Sequence, residues 1–497
     1  MEISQLDWVA KWATYSPEAI AVKELESGRQ WSYQELDQKG TAFICWAREH
    51  WRLEAGDRIA ILAENCLEYY FLFTAAQRAG YILVPLNYRL TASELDYLLQ
   101  DADPQLLIYS AAFTETVAAT SQNAQVKGTV KLSQVAEAVT KTAVQTIEKV
   151  SIPASAPIFI LYTSGTTGFP KGVCYTHQML FWNSVNTSIS LVINSDSRTV
   201  NCMPPFHTGG WNVLSTPFLH HGAFSCYAKK FDPDEILQAL ESEKATIFMA
   251  VPTMLKMMAD SPSFESVDLS ALLYIIVGGE AMPIPLIERW HAKGVPIRQG
   301  YGMTEVGPNL TSLHQRDAVT KAGSIGRTNF YTQARIVDEN DQEVAAGEAG
   351  ELLLGGVLVT PGYWRNPEAT AHSIQDGWLR TGDRVKADQD GYLYIVDRIK
   401  NMYISGGENV YPAEVERVLL QHPAVAEVAV VACPDERWGE AGRAFVVLAA
   451  TSGEEDLRAH CKRHLAKFKV PKHYVFVEEL PKNDSGKIDR KRLKAYQ

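Results

Sequence analysis

The sequence predicts an α/β protein with a β-rich module and a small α+β unit behind it. Three observations carry that expectation. Apolar runs bounded by turns alternate with helical patterns through the first ~330 residues. Between residues 330 and 398 the texture changes to short strands separated by Asp, Asn and Gly, as in "ARIVDENDQEV", "GEAGELLLGG" and "DQDGYLYIVDR". The last ~100 residues repeat a compact helix–strand pattern of their own.

Taken in order, the buried strands expected first are "RIAILA" (58–63), "PIFILYTS" (157–164), "ATIFMAVP" (245–252) and "LLYIIVGG" (272–279). Each is a short apolar run, as strands covered on both faces require. In the β-rich stretch, Asp390-Gly391 between alternating segments signals a hairpin. A boundary is expected at 398–401, followed by a helix over 412–422 with Val415, Val418 and Leu419 on one face. Strands over 426–433 and 443–450 come next. A second helix over 454–468 carries Leu457, Cys461, Leu465 and Phe468 on one face.

The bulk numbers narrow the class. At 497 residues, with 46% apolar and 21% charged, the chain has the material for several folding units. A net charge of −11 argues against a general nucleic-acid binder, whose footprint is basic. The N-terminus has early acids and no apolar core, so no signal peptide is expected. The longest apolar runs, such as 272–277, fall far short of the ~20 residues that cross a bilayer. Seven scattered cysteines without a CxxC fit a reducing compartment and argue against a zinc site. A cytoplasmic protein is expected, with no integral membrane segment.

The chemistry is concentrated in five stretches. "ILYTSGTTGFPKGV" (160–173) runs a buried strand into a loop of hydroxyls, glycines and one lysine. It is not a Walker A loop, because Gly165 and Gly168 are too close and Pro170 precedes Lys171. The physics is nonetheless that of a phosphate cradle. Glycines 165, 168 and 172 free backbone N–H groups, Thr163, Ser164, Thr166 and Thr167 offer hydroxyls, and Lys171 adds charge.

"VGGEAMP" (277–283) and "QGYGMTEVG" (299–307) both begin where a predicted strand ends, the usual place for ligands in an open α/β sheet. Glycines 278, 279, 300 and 302 allow close backbone approach, Tyr301 offers a flat face to a base, and Glu305 is a candidate Mg²⁺ ligand. "GWLRTGD" (377–383) and "DRIKNMYISGGENVYP" (397–412) bracket the expected boundary, with Asp383 suited to ribose hydroxyls and Arg398 to phosphate or ribose. "LPKNDSGKIDRKRL" (480–493) presents Lys487 on a short Ser/Gly loop, and "PPFHTGGWN" (204–212) sets His207 beside two glycines.

These stretches, in this order and over nearly the whole chain, resemble the adenylate-forming superfamily of acyl- and aryl-CoA synthetases, firefly luciferase and nonribosomal peptide adenylation domains. "YTSGTTGFPKG", "YGMTE", "GWLRTGD", "ISGGENVYPAEVE" and "SGKIDRKRL" carry the match. The resemblance implies a large N-terminal domain (1–399) of two α/β subdomains plus a small β-barrel (about 330–398). A mobile α+β lid (400–497) would follow, hinged at Lys400.

It also implies a two-step reaction. A carboxylate attacks the α-phosphorus of ATP to give an acyl-adenylate and pyrophosphate, and the thiol of coenzyme A then displaces AMP. Thr163, Ser164, Gly165, Thr166, Thr167, Gly168 and Lys171 would hold the β- and γ-phosphates, and Glu305 the Mg²⁺. Gly279, Glu280, Tyr301, Gly302 and Thr304 would frame the nucleotide, with Asp383 and Arg398 on the ribose. Lys487 would bridge carboxylate and α-phosphate oxygens, then withdraw as the lid turns. Gly406 and Gly407 would line the pantetheine tunnel, with His207 where acyl and thiol channels meet. Arg89 and Trp438 are the expected contacts of the CoA nucleotide. Thr163, His207, Glu305 and Lys487 are thus the candidate catalytic residues.

Phe206 stands where an amino-acid ammonium would need a carboxylate, which disfavours an amino acid as substrate. "FHTGGWN" looks most like medium- to long-chain fatty-acid or aryl-acid ligases, and an apolar fatty acid is the expected substrate. Aryl acids are the alternative, as is an acyl-AMP ligase that loads a carrier protein. A homodimer is left open.

Overall fold

The predicted apolar runs become strands with parallel neighbours in the computed structural model, which describes residues 7–121, 126–148, 150–163, 170–279, 282–398, 401–405, 408–435, 438–465, 467–483 and 486–496. The first sheet has six strands, in the order Gly128–Lys131, Leu106–Tyr109, Arg58–Leu62, Ile82–Pro85, Pro157–Thr163 and Lys171–Thr176. All neighbours run parallel except the last pair, which is an antiparallel hairpin. Two of the four predicted strands sit here, and Arg58–Leu62 is one residue shorter than expected.

The other two, Ile247–Ala250 and Tyr274–Val277, pair in parallel with each other and with Ile297–Met303. Gly307–Ser312 then turns back antiparallel, so "YGMTEVG" is the corner of a β-turn-β unit. A further sheet sets Ile20–Glu24 parallel to Phe224–Tyr227. Parallel pairing across that span needs covered crossovers, and helices supply them.

Local chemistry explains where the long helices begin. Ser32 caps Tyr33–Trp51 in a reciprocal capping box with Glu35, and Thr176 caps His177–Leu191 through the Met179 N–H. The helix His177–Leu191 is tied to its neighbours by buried amides. Asn183 donates to the Asn212 carbonyl at 2.7 Å, and Asn309 donates to Thr187 at 2.6 Å.

Trp211, 2% exposed, anchors this region. Its indole N–H donates to the Pro205 carbonyl at 2.8 Å, and its ring packs among Tyr69, Tyr70, Phe73 and Phe159. Trp211→Ala should lower unfolding stability by about 3–5 kcal/mol, the range for a fully buried aromatic. Denaturant titration followed by tryptophan fluorescence checks it.

Two buried imidazoles make the same region acid-sensitive. Burial lowers His177 to about 4 and His220 to about 3, the latter stacked on Trp8 at 4.2 Å. The unfolded chain binds these protons near pH 6.5. Stability is therefore greatest above pH 6.5 and falls as pH drops toward 4, by up to about 1.4 kcal/mol per pH unit for each group. The unfolding midpoint should accordingly decline between pH 7 and 4.5, and a flat profile would contradict the burial.

By its internal contacts the chain divides into two units, residues 1–334 with 354–379, and residues 335–353 with 380–497. Within the second unit, Trp378–Ala387 pairs antiparallel with Leu393–Arg398 around the expected Asp390-Gly391 turn. Asp388 closes that turn by accepting from the Asp390 and Tyr392 N–H groups, and Gly391 takes φ 79°.

The C-terminal part is a five-stranded sheet built on a long hairpin, Val425–Asp435 with Gly439–Leu448. Helices Pro412–Leu420 and Glu454–His464 cover one face of it. The second helix ends earlier than its apolar spacing suggests, because Leu465 turns extended at φ −127°. Leu465 and Phe468 still reach the same core.

Candidate active site

The loop 164–169 falls outside the described residues, and so do Glu280, Lys400, Gly406 and Gly407. What the structure shows is how the phosphate loop is mounted. Thr163 and Lys171 face each other in the hairpin register, and the Thr163 hydroxyl donates to the Lys171 carbonyl at 3.5 Å. The glycines and hydroxyls between them therefore leave and re-enter the sheet at adjacent points.

Lys171 leads directly to the second motif. Its Nζ lies 5.2 Å from the ring centroid of Tyr363, and the Tyr363 hydroxyl donates to Glu305 Oε1 at 3.0 Å. Glu305 is 8% exposed, in the turn Thr304–Val306 that follows Ile297–Met303. The Thr360 N–H donates to the Glu305 carbonyl at 2.8 Å, which fixes the turn from the same segment. Burial first, and then the Glu305 carboxylate, raises the Tyr363 phenol well above its ordinary range. Tyr363 thus stays a neutral donor. Sequence reading missed it, and its signal is the aromatic after Thr360-Pro-Gly.

Tyr301 is 9% exposed on the strand Ile297–Met303. Gly302 is a steric necessity, since a Cβ there would collide with the Pro308 backbone across the tight turn. Gly279, at φ 88°, ends the neighbouring strand's loop in a conformation that favours glycine.

The third group forms around His207. Phe206 and His207 have ring centroids 4.5 Å apart, Tyr88 meets Phe206 edge-on at 5.2 Å, and the Arg89 guanidinium lies 5.8 Å from the Phe206 centroid. Two residues singled out separately in the sequence, Arg89 and His207, are therefore close neighbours. His207 is half-buried and its backbone is held by the Pro204 carbonyl. Gly209, Gly210 and Trp211 follow in a short π-helical turn, Gly209–Val213. A Cβ at Gly209 would lie 3.7 Å from the Met203 methyl and 3.8 Å from the Met249 methyl, so this wall is apolar and deformable.

The second unit carries the remaining candidates. Asp383 is 2% exposed and sits opposite Arg398 in the strand register. Its N–H donates to the Thr381 hydroxyl at 3.0 Å, and Thr381 donates in turn to the Leu352 carbonyl. Trp438 is half-buried, with the Lys472 ammonium 4.9 Å from its ring.

Lys487 is exposed on a closed loop. The Asn483 N–H donates to the Lys487 carbonyl at 2.7 Å, the Lys487 N–H returns to the Asn483 side chain, and Gly486 takes φ 80°. Below the loop, Arg490 forms a two-point ion pair with Glu416 at 2.6 and 2.9 Å and donates to the Val430 carbonyl. Glu416 also accepts from the Val430 N–H.

A phosphate-loop mount wired to a buried carboxylate, with an apolar wall close by, is equipment for charging a carboxylic acid with a nucleotide. The comparisons agree, and the chain belongs to the AMP-binding enzyme family. Its profile matches residues 9–364, and that of the AMP-binding enzyme C-terminal domain matches residues 414–487. A feruloyl-CoA synthase of an Amycolatopsis species is 38% identical over 97% of this chain and 96% of its own. A long-chain-fatty-acid–CoA ligase of Mycobacterium tuberculosis is 36% identical over 87% and 86%. Among solved structures, an O-succinylbenzoate coenzyme A synthetase from Bacillus subtilis, in complex with ATP and magnesium, has TM-score 0.87 at 32% identity. That match covers 99% of this chain and 100% of its own. The protein is an AMP-forming acid–thiol ligase of the acyl/aryl-CoA group. Among the described residues no helix is long and apolar enough to cross a membrane.

Proposed function

We propose that the chain joins an aryl carboxylic acid to coenzyme A through an acyl-adenylate, using ATP and Mg²⁺. The observation that carries the adenylating half is the Lys171–Tyr363–Glu305 chain of contacts, which couples the phosphate loop to a buried carboxylate. Among the described residues no cluster of three or more His, Cys, Asp or Glu could hold a metal. Glu305 would give a cation one carboxylate. That fits Mg²⁺ on a nucleotide, which takes one or two carboxylates and otherwise phosphate and water. Bound there, the ion would neutralise charge on the phosphates.

In this reading Thr163 to Lys171 grip the outgoing pyrophosphate. Gly279, Glu280, Tyr301, Gly302 and Thr304 bound the base, and Asp383 and Arg398 hold the ribose. Lys487 supplies the positive charge on which the carboxylate–α-phosphate step depends, and withdraws with the C-terminal lid (400–497), hinged at Lys400, for the thiol step. His207 stands at the acyl carbon, Gly406 and Gly407 border the pantetheine, and Arg89 and Trp438 meet the CoA nucleotide. Catalysis of both steps is then positioning and charge neutralisation.

The wall at Met203 and Met249 supports an apolar acid body. Coverage of nearly the whole chain by the feruloyl-CoA synthase favours an aromatic one. Pyrophosphate release and CoA-thioester formation across cinnamates, benzoates and C6–C18 fatty acids test it. A preference for saturated fatty acids would replace the aryl reading with the fatty-acid one. Pyrophosphate release with no demand for CoA would favour transfer to a carrier protein.

A further inference from the structure

In "TASELDYLLQDA" (91–102), Thr91 and Glu94 form a reciprocal capping box that starts the helix Ala92–Ala102. Leu95, Leu98, Leu99 and Ala102 are buried and pack the helix against strands of the six-stranded sheet. Tyr97 and Asp101, four residues apart, lie beside that apolar stripe on a common face. Both reach the hairpin that carries the phosphate loop. The Tyr97 hydroxyl donates to the Pro170 carbonyl at 3.2 Å, where the chain re-enters the sheet. The Tyr162 hydroxyl donates to Asp101 Oδ2 at 2.6 Å, one residue before the chain leaves it. Trp364 adds a third tie. Its indole N–H donates to the Asp101 carbonyl at 3.1 Å, and its backbone N–H to the Gly172 carbonyl at 2.7 Å.

Three successive carbonyls around the lysine are thereby met from three directions, Pro170 by Tyr97, Lys171 by Thr163 and Gly172 by Trp364. The hairpin register ends with Thr163 opposite Lys171, so Pro170 lies one residue beyond the ladder. Proline has no N–H, which leaves its carbonyl as the backbone group that can tie it down. The peptide unit is planar, so a bond to the Pro170 carbonyl also sets the Lys171 N–H, and with it the direction in which the lysine leaves the chain. Burial, and then the Asp101 carboxylate, raises the Tyr97 and Tyr162 phenols above their ordinary values, so both stay neutral donors. The rings of Tyr97, Tyr162 and Trp364 pack against one apolar cluster with the helix. That packing serves the fold, and the two hydroxyls add direction.

We propose that Tyr97 is a positioning residue for the pyrophosphate half of the nucleotide, aiming Lys171 at the β- and γ-phosphates from a helix braced by the Tyr162–Asp101 bond. This rests on the phosphate-loop reading above and deepens it. What the arrangement recognises is the outer diphosphate of a nucleoside triphosphate. AMP lacks that group, so Tyr97 is felt by ATP and by pyrophosphate and not by AMP.

The test measures equilibrium binding of MgATP, magnesium pyrophosphate and AMP by calorimetry, without acid or CoA. It compares the wild type with Tyr97→Phe, Tyr162→Phe, Lys171→Ala and the double variant Tyr97→Phe/Lys171→Ala. Tyr97→Phe should weaken MgATP and pyrophosphate by about 2–10-fold, the effect of one lost hydrogen bond. Its affinity for AMP should stay that of the wild type. Tyr162→Phe should move the same two ligands in the same direction. In the double variant the Tyr97 substitution should add nothing to the loss caused by Lys171→Ala, because it acts through that lysine. An equal loss of AMP affinity, additive losses in the double variant, or unchanged binding of all three ligands by Tyr97→Phe overturns the proposal and leaves the phosphate loop assigned. If Tyr97→Phe fails to fold, Tyr162→Phe decides: a loss confined to MgATP and pyrophosphate supports the proposal, and any other pattern overturns it. Unchanged MgATP and pyrophosphate binding in Lys171→Ala would instead sink the phosphate-loop reading, and the proposal with it.

Discussion

Lys487→Ala should abolish acyl-adenylate formation while leaving the conversion of preformed acyl-adenylate to acyl-CoA largely intact. The first step brings two anions together, a carboxylate and an α-phosphate, in a site that excludes water. A cation placed between them stabilises the charge that develops as the P–O bond forms. Loss of one such group costs on the order of 10²–10³ in rate. The second step has a neutral thioester as product and no comparable need. The loop geometry makes the substitution clean, because the side chain of Lys487 is exposed while the turn is held by Asn483 and by backbone bonds. Pyrophosphate exchange reads the first step, and thioester formation from synthetic acyl-adenylate reads the second. Equal loss of both would remove the assignment.

Glu305→Gln should lower adenylation by a comparable factor, and part of the loss should return at high Mg²⁺. Tyr363→Phe should cost roughly 10–100-fold in apparent Mg²⁺ affinity, the usual effect of removing the partner that orients a metal-binding carboxylate. The reason is geometric. The Tyr363 hydroxyl holds Oε1 at 3.0 Å, and without it the carboxylate of a buried side chain loses its fixed orientation. The Tyr363 ring also faces Lys171, so the substitution keeps that contact and isolates the hydroxyl. Titration of pyrophosphate release against Mg²⁺ separates the two effects. An unchanged Mg²⁺ dependence in both variants would show that Glu305 serves the fold alone.

Much of this was legible in the sequence because the chemistry is local. The strand-to-loop passage at 157–171, the hairpin at Asp390-Gly391 and the helix from Pro412 are each set by residues within a few positions of one another. Asp383 and Arg398 could be taken as related, and the hairpin register places them face to face. What stayed hidden depends on pairing across the chain. Tyr363 and Glu305 are 58 residues apart, and Arg490 and Glu416 are 74 apart. No periodicity announces either partnership. Arg298 was passed over for a different reason. In "IRQGYG" it looks like an ordinary charge at a strand's edge, and only the structure shows it buried against the Tyr274 ring.

The ion pair of Glu416 with Arg490 sets how accurately Lys487 can be aimed. Two residues separate the lysine from an arginine that is fastened to the helix Pro412–Leu420 and, through Val430, to the long hairpin. Lys487 therefore takes its position from the sheet to which Arg490 is fastened. Loosening the anchor, as in Glu416→Gln, would leave the lysine, its charge and its sequence motif untouched, yet spread its tip over a wider volume. In the proposed scheme the tolerance of the first chemical step is thus written into a contact that meets neither nucleotide nor acid.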